Sequence, residues 1–247
     1  MARNTSMKDE LFNKIRNNFI PYNATLILTN HCNQDCIYCY LGVDRKKADC
    51  FLSFQQIYSI LYQLVEIGSY KIEFTGGEPL LYPYFKEVYK TSRKLGFEIT
   101  MTTNGTLFDN YIASLLADIG VSKIRFSISG ATAKTHDSIT RYEGAFDKAF
   151  HWIKWFKKKE CNVTVNYVVL SCNLHEIERA KKLFDVEKIP ISFCEVLVPS
   201  FSGHKESKKF MLNQEEIVKM LSTLNKCGIK SKKVEYAPIC SAGRKQH

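Results

Sequence analysis

No apolar run in this 247-residue chain approaches the roughly 20 residues of a membrane-spanning helix. The opening segment Met1–Arg16 also lacks the apolar stretch of a secretory signal. A cytoplasmic protein with no membrane partner is therefore expected. Proline is scarce, at 6, and glycine stops at 12, which excludes collagen-like and low-complexity chains. No Gly-x-Gly-x-x-Gly follows the first apolar run, so the usual mark of a dinucleotide-binding turn is missing. Acidic residues are in deficit, 25 against 35 Lys and Arg, for a net charge of +10. Residues 1–150 are nearly balanced, with 17 basic against 15 acidic, whereas residues 151–247 carry 18 against 10. That surplus favours an anionic partner such as nucleic acid or an acidic peptide. The plainer and preferred reading is solvated lysine faces at Lys157–Lys159, Lys208–Lys209 and Lys232–Lys233. Cysteine is not scarce. Nine of them, an odd number without a signal-like segment, argue against a disulfide framework and for a reducing compartment.

With 45% hydrophobic and 13% aromatic residues, the chain can bury one sizeable core. Short β-branched runs recur at Ala24–Leu28, Lys71–Phe74, Glu98–Thr102, Lys123–Ser127, Val163–Leu170 and Ile191–Leu197. Between them apolar residues return every three or four positions, as at Phe54, Ile57, Ile60, Leu61, Leu64 and Val65, which marks one helical face over Ser53–Ile67. Ser53 suits the cap and Gly68 the stop of that helix. Further helices are predicted over Tyr84–Leu95, Leu107–Ile119, Ala145–Lys158, Leu174–Asp185 and Asn213–Cys227. Such alternation predicts an α/β fold with a parallel sheet, because a parallel connection needs a crossover of this length. Six units fit an open, partial (β/α)6 TIM-type barrel with its site at the C-terminal strand ends. A flat doubly wound sheet has the same periodicity. Residues 1–21 are read as an N-terminal segment, residues 22–228 as the core, and Ser200–Ser207 as an exposed loop.

The strongest local signal follows the first strand: His31-Cys32-Asn33-Gln34-Asp35-Cys36-Ile37-Tyr38-Cys39. Three thiolates spaced Cys-x3-Cys-x2-Cys on one short loop suit an iron–sulfur cluster. A 4Fe-4S cube ordinarily takes four cysteines, so three leave one iron open to an outside ligand. The competing reading is a structural zinc site with His31 as fourth ligand, although such sites usually carry two separated pairs.

With the motifs downstream, this loop resembles the signature of the radical S-adenosylmethionine (SAM) superfamily. Thr75-Gly76-Gly77-Glu78-Pro79 resembles its GGEP motif after the second strand. Thr102-Thr103-Asn104-Gly105 and Ser127-Ile128-Ser129-Gly130 end the third and fourth. His136-Asp137 through Arg141, Gly144 and Phe146 is similar to a segment of the peptide-modifying, sulfatase-maturase-like branch. Pro238-Ile239-Cys240 resembles the opening of that branch's SPASM or twitch extension, so residues 229–247 are read as the start of a truncated one.

The resemblance implies a radical SAM core in which Cys32, Cys36 and Cys39 hold a 4Fe-4S cluster and SAM chelates the open iron. An electron from the cluster would cleave SAM to methionine and a 5′-deoxyadenosyl radical, which abstracts hydrogen from the substrate. It implies SAM contacts from Tyr38, Gly76, Gly77, Glu78, Thr102, Asn104, Ser127, Asn166 and Leu197. Glu78 would accept from the SAM ammonium, and the two glycines would let backbone approach the methionine moiety. Ser127 would reach the ribose with Asn104 or Thr102 nearby, and the Leu197 backbone would hold adenine. Arg141 would pair with the SAM carboxylate or with Asp137. The chain departs from the family at Ser129, where many relatives carry Asp, and in Val163–Leu170, which lacks the glycines of some members. Cys50, Cys161, Cys172, Cys194 and Cys227 lack ligand spacing and are expected to be buried thiols. No residue is singled out as a catalytic acid or base.

The implied substrate is a peptide or protein, and the implied electron donor a flavodoxin or ferredoxin. Two other functions stay open: a nucleotide-derived cofactor synthase of the same superfamily, and a zinc-stabilised nucleic-acid-binding protein. Nucleic acid is not an expected partner on the favoured reading.

Overall fold

The computed structural model describes residues 21–42, 51–194 and 206–229. Six strands, β1 (Asn23–Ile27), β2 (Lys71–Thr75), β3 (Glu98–Thr103), β4 (Lys123–Ile128), β5 (Val163–Val168) and β6 (Ile191–Cys194), form one sheet in sequence order. The β1–β2, β2–β3, β3–β4 and β5–β6 pairings are parallel. A doubly wound sheet reverses strand order at a switch point. Here the order runs straight from β1 to β6, so the fold is α/β of the kind a partial (β/α)6 barrel core requires.

The helices are α1 (Phe54–Glu66), α2 (Phe85–Lys94), α3 (Asn110–Ile119), α4 (Ala133–Thr140), α5 (Ala145–Lys158), α6 (Ile177–Val186) and α7 (Gln214–Lys226). Ser53 with Gln56, and Asn213 with Glu216, form capping boxes that fix the starts of α1 and α7. Helix α3 starts later than its apolar period predicts, because Asp109 takes the cap and accepts from the Ile112 N–H. That leaves Phe108 outside the helix, where it packs against Phe126, Trp152 and Phe156. Helix α4 carries no apolar period and was not expected. Its buried positions are His136, Ile139 and Thr140, and the Thr132 side chain caps it. The segment predicted as one helix from Leu174 opens with a 3-10 turn, Leu174–Glu176. Leu197, Cys50, Cys240, most of the expected 200–207 loop and the expected terminal segments lie outside the described residues, apart from residue 21 of the first and residue 229 of the second.

The chain packs as two compact units. The first comprises residues 21–33, 51–126 and 151–163 among those described. Its strands alternate, burying Ile72, Phe74, Ile99, Met101, Ile124 and Phe126 on one face, where Phe85 and Phe156 from α2 and α5 meet Phe74 and Phe126. The opposite face is largely polar and, apart from the buried Thr100, half-buried or exposed. Lys71 pairs with Glu98 at 3.2 Å, and Glu73 accepts from both Arg125 and Thr102. A closed eight-stranded barrel fills its interior with branched apolar side chains; this polar face instead suits a hydrated, polar ligand. The second unit comprises residues 34–42, 127–150, 164–194 and 206–229. Ile139 and Leu170 form a core there with Ile37, Tyr38, Val168 and Phe210, and Phe150 bridges Phe146 and Phe184.

Candidate iron–sulfur and SAM site

In the first unit, β1 delivers the chain to Thr29, Asn30 and His31, immediately before Cys32. The turn after β2 lies against that stretch. The Gly77 N–H donates to the Thr29 carbonyl and the Glu78 N–H to the His31 carbonyl, both at 2.8 Å. Only glycine permits this approach. A Cβ on Gly77 would stand 2.2 Å from the His31 oxygen and 2.5 Å from that of Asn30. One on Gly76, whose φ is +145°, would stand 2.3 Å from the Thr29 oxygen. The protein's own backbone thus already requires the absence of both side chains.

Glu78 is fully buried. Its carboxylate accepts from Thr103 Oγ1 and the Asn104 N–H, each at 2.8 Å, and from the Leu80 N–H at 3.2 Å. Burial pushes this carboxyl up to about 7, against the pull of those donors. Asn104 is also spoken for. Its Nδ2 donates to Asn33 Oδ1 at 2.9 Å and lies 3.8 Å from Cys32 Sγ, while its Oδ1 accepts from the N–H and hydroxyl of Thr106. Asn104 therefore brackets the first cysteine from the end of β3. Thr102 Oγ1 donates to Glu73 at 3.0 Å. The sequence pattern did not single out Asn33, Thr103 or Thr106, whose importance lies in contacts 25 or more residues apart in the chain.

In the second unit, the rest of the loop is held by α4. The Asp35 and Ile37 N–H groups donate to the Thr140 and Ile139 carbonyls at 3.0 Å, and Arg141 pairs with Asp35 at 3.6 Å. The expected partner of Arg141 within the protein, Asp137, is engaged elsewhere: it accepts from the Gly144 and Phe146 N–H groups and so caps the start of α5. The Tyr38 hydroxyl accepts from Ser129 Oγ at 3.1 Å. Ser129 in turn donates its N–H to His136 Nδ1 and accepts from Asn173 through its carbonyl. Burial and the neighbouring Cys36 push the Tyr38 phenol up, opposed by Ser129. The His136–Phe146 segment thus serves as the scaffold of the cysteine loop. Ser127 and Asn166 are half-buried on the polar faces of β4 and β5. No hydrogen bond commits either side chain among the described residues, so both are available to a ligand.

Cys32, Cys36 and Cys39 are all half-buried. Amide donors serve two of the sulfurs: Asn104 for Cys32, and the Leu41 and Gly42 N–H groups, which oppose the upward push of burial on Cys39. Such donors stabilise thiolates, so the residues fit an iron–sulfur group. Among the described residues no three His, Cys, Asp or Glu side chains converge as a single ion requires. A cube asks for no such convergence, because each thiolate ligates its own iron. The remaining cysteines depart from expectation: Cys172 and Cys194 are exposed, and Cys161 and Cys227 half-buried. They sit at or just beyond the ends of strands and helices.

A parallel α/β sheet whose first strand leads into a loop of three thiols, two of them supplied with amide donors, fits the class of iron–sulfur α/β enzymes. The radical SAM superfamily pattern matches residues 26–184, and this chain belongs to that superfamily, whose members use a 4Fe-4S cluster and SAM. The chain is 29% identical over 163 residues to Fe-coproporphyrin III synthase of Methanosarcina barkeri, covering 66% of this chain and 41% of that protein. It is 34% identical over 176 residues to GTP 3′,8-cyclase of Petrotoga mobilis (69% and 54%). To PqqA peptide cyclase of Bradyrhizobium diazoefficiens it is 28% identical over 158 residues (64% and 42%). The chain spans about half the length of these relatives. Its fold matches that of anSMEcpe with bound AdoMet and the Cp18Cys peptide, with a TM-score of 0.69 at 20% identity over 83% of this chain and 58% of that one.

Two buried groups should give stability opposed pH dependences. Glu78, raised to about 7 from 4.5, keeps a proton that the unfolded chain has lost, so its contribution falls as pH rises through that window. His136 is pushed by burial down to about 4 from 6.5, with Asp137 opposing, so stability is lost as pH falls through its window. Each displacement is worth about 3 kcal/mol at full titration, and between pH 5 and 6.5 the two nearly cancel. Glu78→Gln should uncover the histidine. Its unfolding free energy in urea is expected to rise by about 1.5 kcal/mol from pH 5 to 6.5, while the wild type stays level. A variant as level as the wild type would contradict both assignments.

Proposed function

We propose that this chain modifies a peptide or protein through a substrate radical. Cys32, Cys36 and Cys39 hold the cluster, and Ser127 and Asn166 offer their uncommitted side chains to SAM. Tyr38 aligns the loop. Gly76, Gly77, Glu78 and Asn104 act through the segment around Cys32, and Thr102 through the Glu73–Arg125 pair. When bound, the cluster supplies the electron that splits SAM and starts hydrogen abstraction. Leu197, outside the described residues, completes the proposed SAM contacts, and a flavodoxin or ferredoxin delivers the electron. Residues 22–228 form the catalytic core, followed by the start of an auxiliary extension. The observation that carries the peptide reading is the His136–Phe146 segment, which resembles the peptide-modifying branch and buttresses the cysteine loop. Similarity to a peptide cyclase, and a fold shared with an enzyme seen holding a peptide, support it.

A nucleotide substrate is the second reading, favoured by the 34% identity to a GTP cyclase. Reduced, cluster-loaded protein is to be incubated with SAM and either a deuterated peptide pool or deuterated GTP. Deuterium should enter 5′-deoxyadenosine from the peptides and not from GTP. Transfer from GTP alone refutes the peptide reading.

A further inference from the structure

Within the second unit, α4 and the turn leading into α6 enclose a recess of about 500 Å³, lined in part by Lys134, Ser138, Ile139, Cys172, Glu176 and Arg179. That volume lies in the range of small-molecule and side-chain binding sites. Lys134 and Ser138, four apart on α4, share a helix face, and Arg179 of α6 follows the 3-10 turn that carries Glu176. His175 also lines it.

The charge inside is one-sided. Neither Lys134 nor Arg179 has an ion-pair partner among the described residues, and both are exposed. Glu176, the one carboxylate in the lining, is 7% exposed and points into the protein. Its oxygens accept from the Ala131 N–H at 2.6 Å, Thr135 Oγ1 at 2.8 Å and Thr132 Oγ1 at 3.2 Å. The one local acid is therefore engaged in pinning the head of α4 and does not neutralise the cations at the mouth. A guanidinium and an ammonium facing one recess suit a carboxylate, which Arg can grip with two parallel N–H donors. The recess is also next to the cysteine loop. Ile139 lines it, packs with Tyr38 and accepts from the Ile37 N–H through its carbonyl.

We propose that this recess binds the carboxylate of an acidic residue in the peptide substrate and so anchors the peptide beside the cysteine loop; this rests on the peptide reading above. Cys172, exposed in the lining, is a built-in reporter. The full chain is to be titrated with fluorescein-labelled tetraglutamate and with tetraglutamine, and the alkylation rate of Cys172 followed by peptide mass spectrometry. Tetraglutamate should bind at least about tenfold more tightly than tetraglutamine and slow Cys172 alkylation by a similar factor, both effects fading with salt. Lys134→Glu with Arg179→Glu should abolish the preference, and the milder Lys134→Gln with Arg179→Gln should halve it or more, with SAM cleavage in the absence of peptide unchanged. Equal binding of the two peptides, an unaltered preference in the charge-reversed protein, or protection by inorganic phosphate but not by tetraglutamate would each overturn the proposal. The deuterium-transfer assay uses neither cation, so a failed footprint beside successful transfer from peptides rejects the recess alone.

Discussion

Cys36→Ala protein is expected to emerge from anaerobic reconstitution colourless. Its iron should fall from about four per chain to trace levels, and 5′-deoxyadenosine formation should drop at least about a thousandfold, to the rate without enzyme. The expectation is that large because a cube held at only two corners has lost a ligand that no neighbour among the described residues replaces. Gln34 Oε1, 3.5 Å from Cys36 Sγ, is a poor donor for iron beside a thiolate. The fold should survive the change. The loop around Cys36 is fastened by the Asp35 and Ile37 N–H groups, backbone donors that do not depend on the Cys36 side chain, and Tyr38 keeps its bond from Ser129 Oγ. The urea midpoint of the apoprotein should therefore stay close to that of the wild type, separating lost chemistry from lost folding. Cys227→Ala, at a half-buried thiol just beyond α7, is the control and should retain full iron and turnover. Wild-type 5′-deoxyadenosine from the Cys36→Ala protein would remove Cys36 from the site and with it the proposed ligand set.

The elements and their order were largely legible because two periods dominate the sequence. Residues alternating at period two along β2 and β4 go to opposite faces, and the α1 stripe at period 3.6 buries Ile57 and Leu61. Helix α4 was not legible. Its eight residues hold too few apolar positions to show a period, and its burial comes from His136 and Thr140, polar groups satisfied or packed only in three dimensions. The three cysteines were legible because their spacing lies within one loop. The hydrogen bonds that Glu78 and Asn104 make between the ends of β2 and β3 were not, because no local pattern encodes those partners. Ser127 and Asn166 show the converse. Each is a polar residue on a strand whose opposite face is apolar, so the alternation alone marks it, and neither side chain makes a hydrogen bond among the described residues.

Gly77→Ala tests the clasp behind the first cysteine. The added methyl would stand 2.2 Å from one backbone oxygen and 2.5 Å from another, and neither can rotate away as a side chain would. Relief requires the β2 turn and the Thr29–His31 stretch to separate by about 1 Å, which also stretches the Gly77–Thr29 and Glu78–His31 hydrogen bonds. Overpacking of this kind costs about 1–3 kcal/mol, and the displacement falls on the residue that precedes Cys32. A misplacement near 1 Å costs about a hundredfold in rate when geometry governs the chemistry. SAM cleavage should fall by about that factor, with faster loss of iron to a chelator. Gly96→Ala separates strain from collision: Gly96 has φ +88° but nothing within 4 Å of a Cβ, so it should lose about 1 kcal/mol of stability and keep its turnover. If Gly77→Ala matches Gly96→Ala in iron retention and SAM cleavage, the glycine turn does not position the cysteine loop, and the tight backbone approach serves the fold alone.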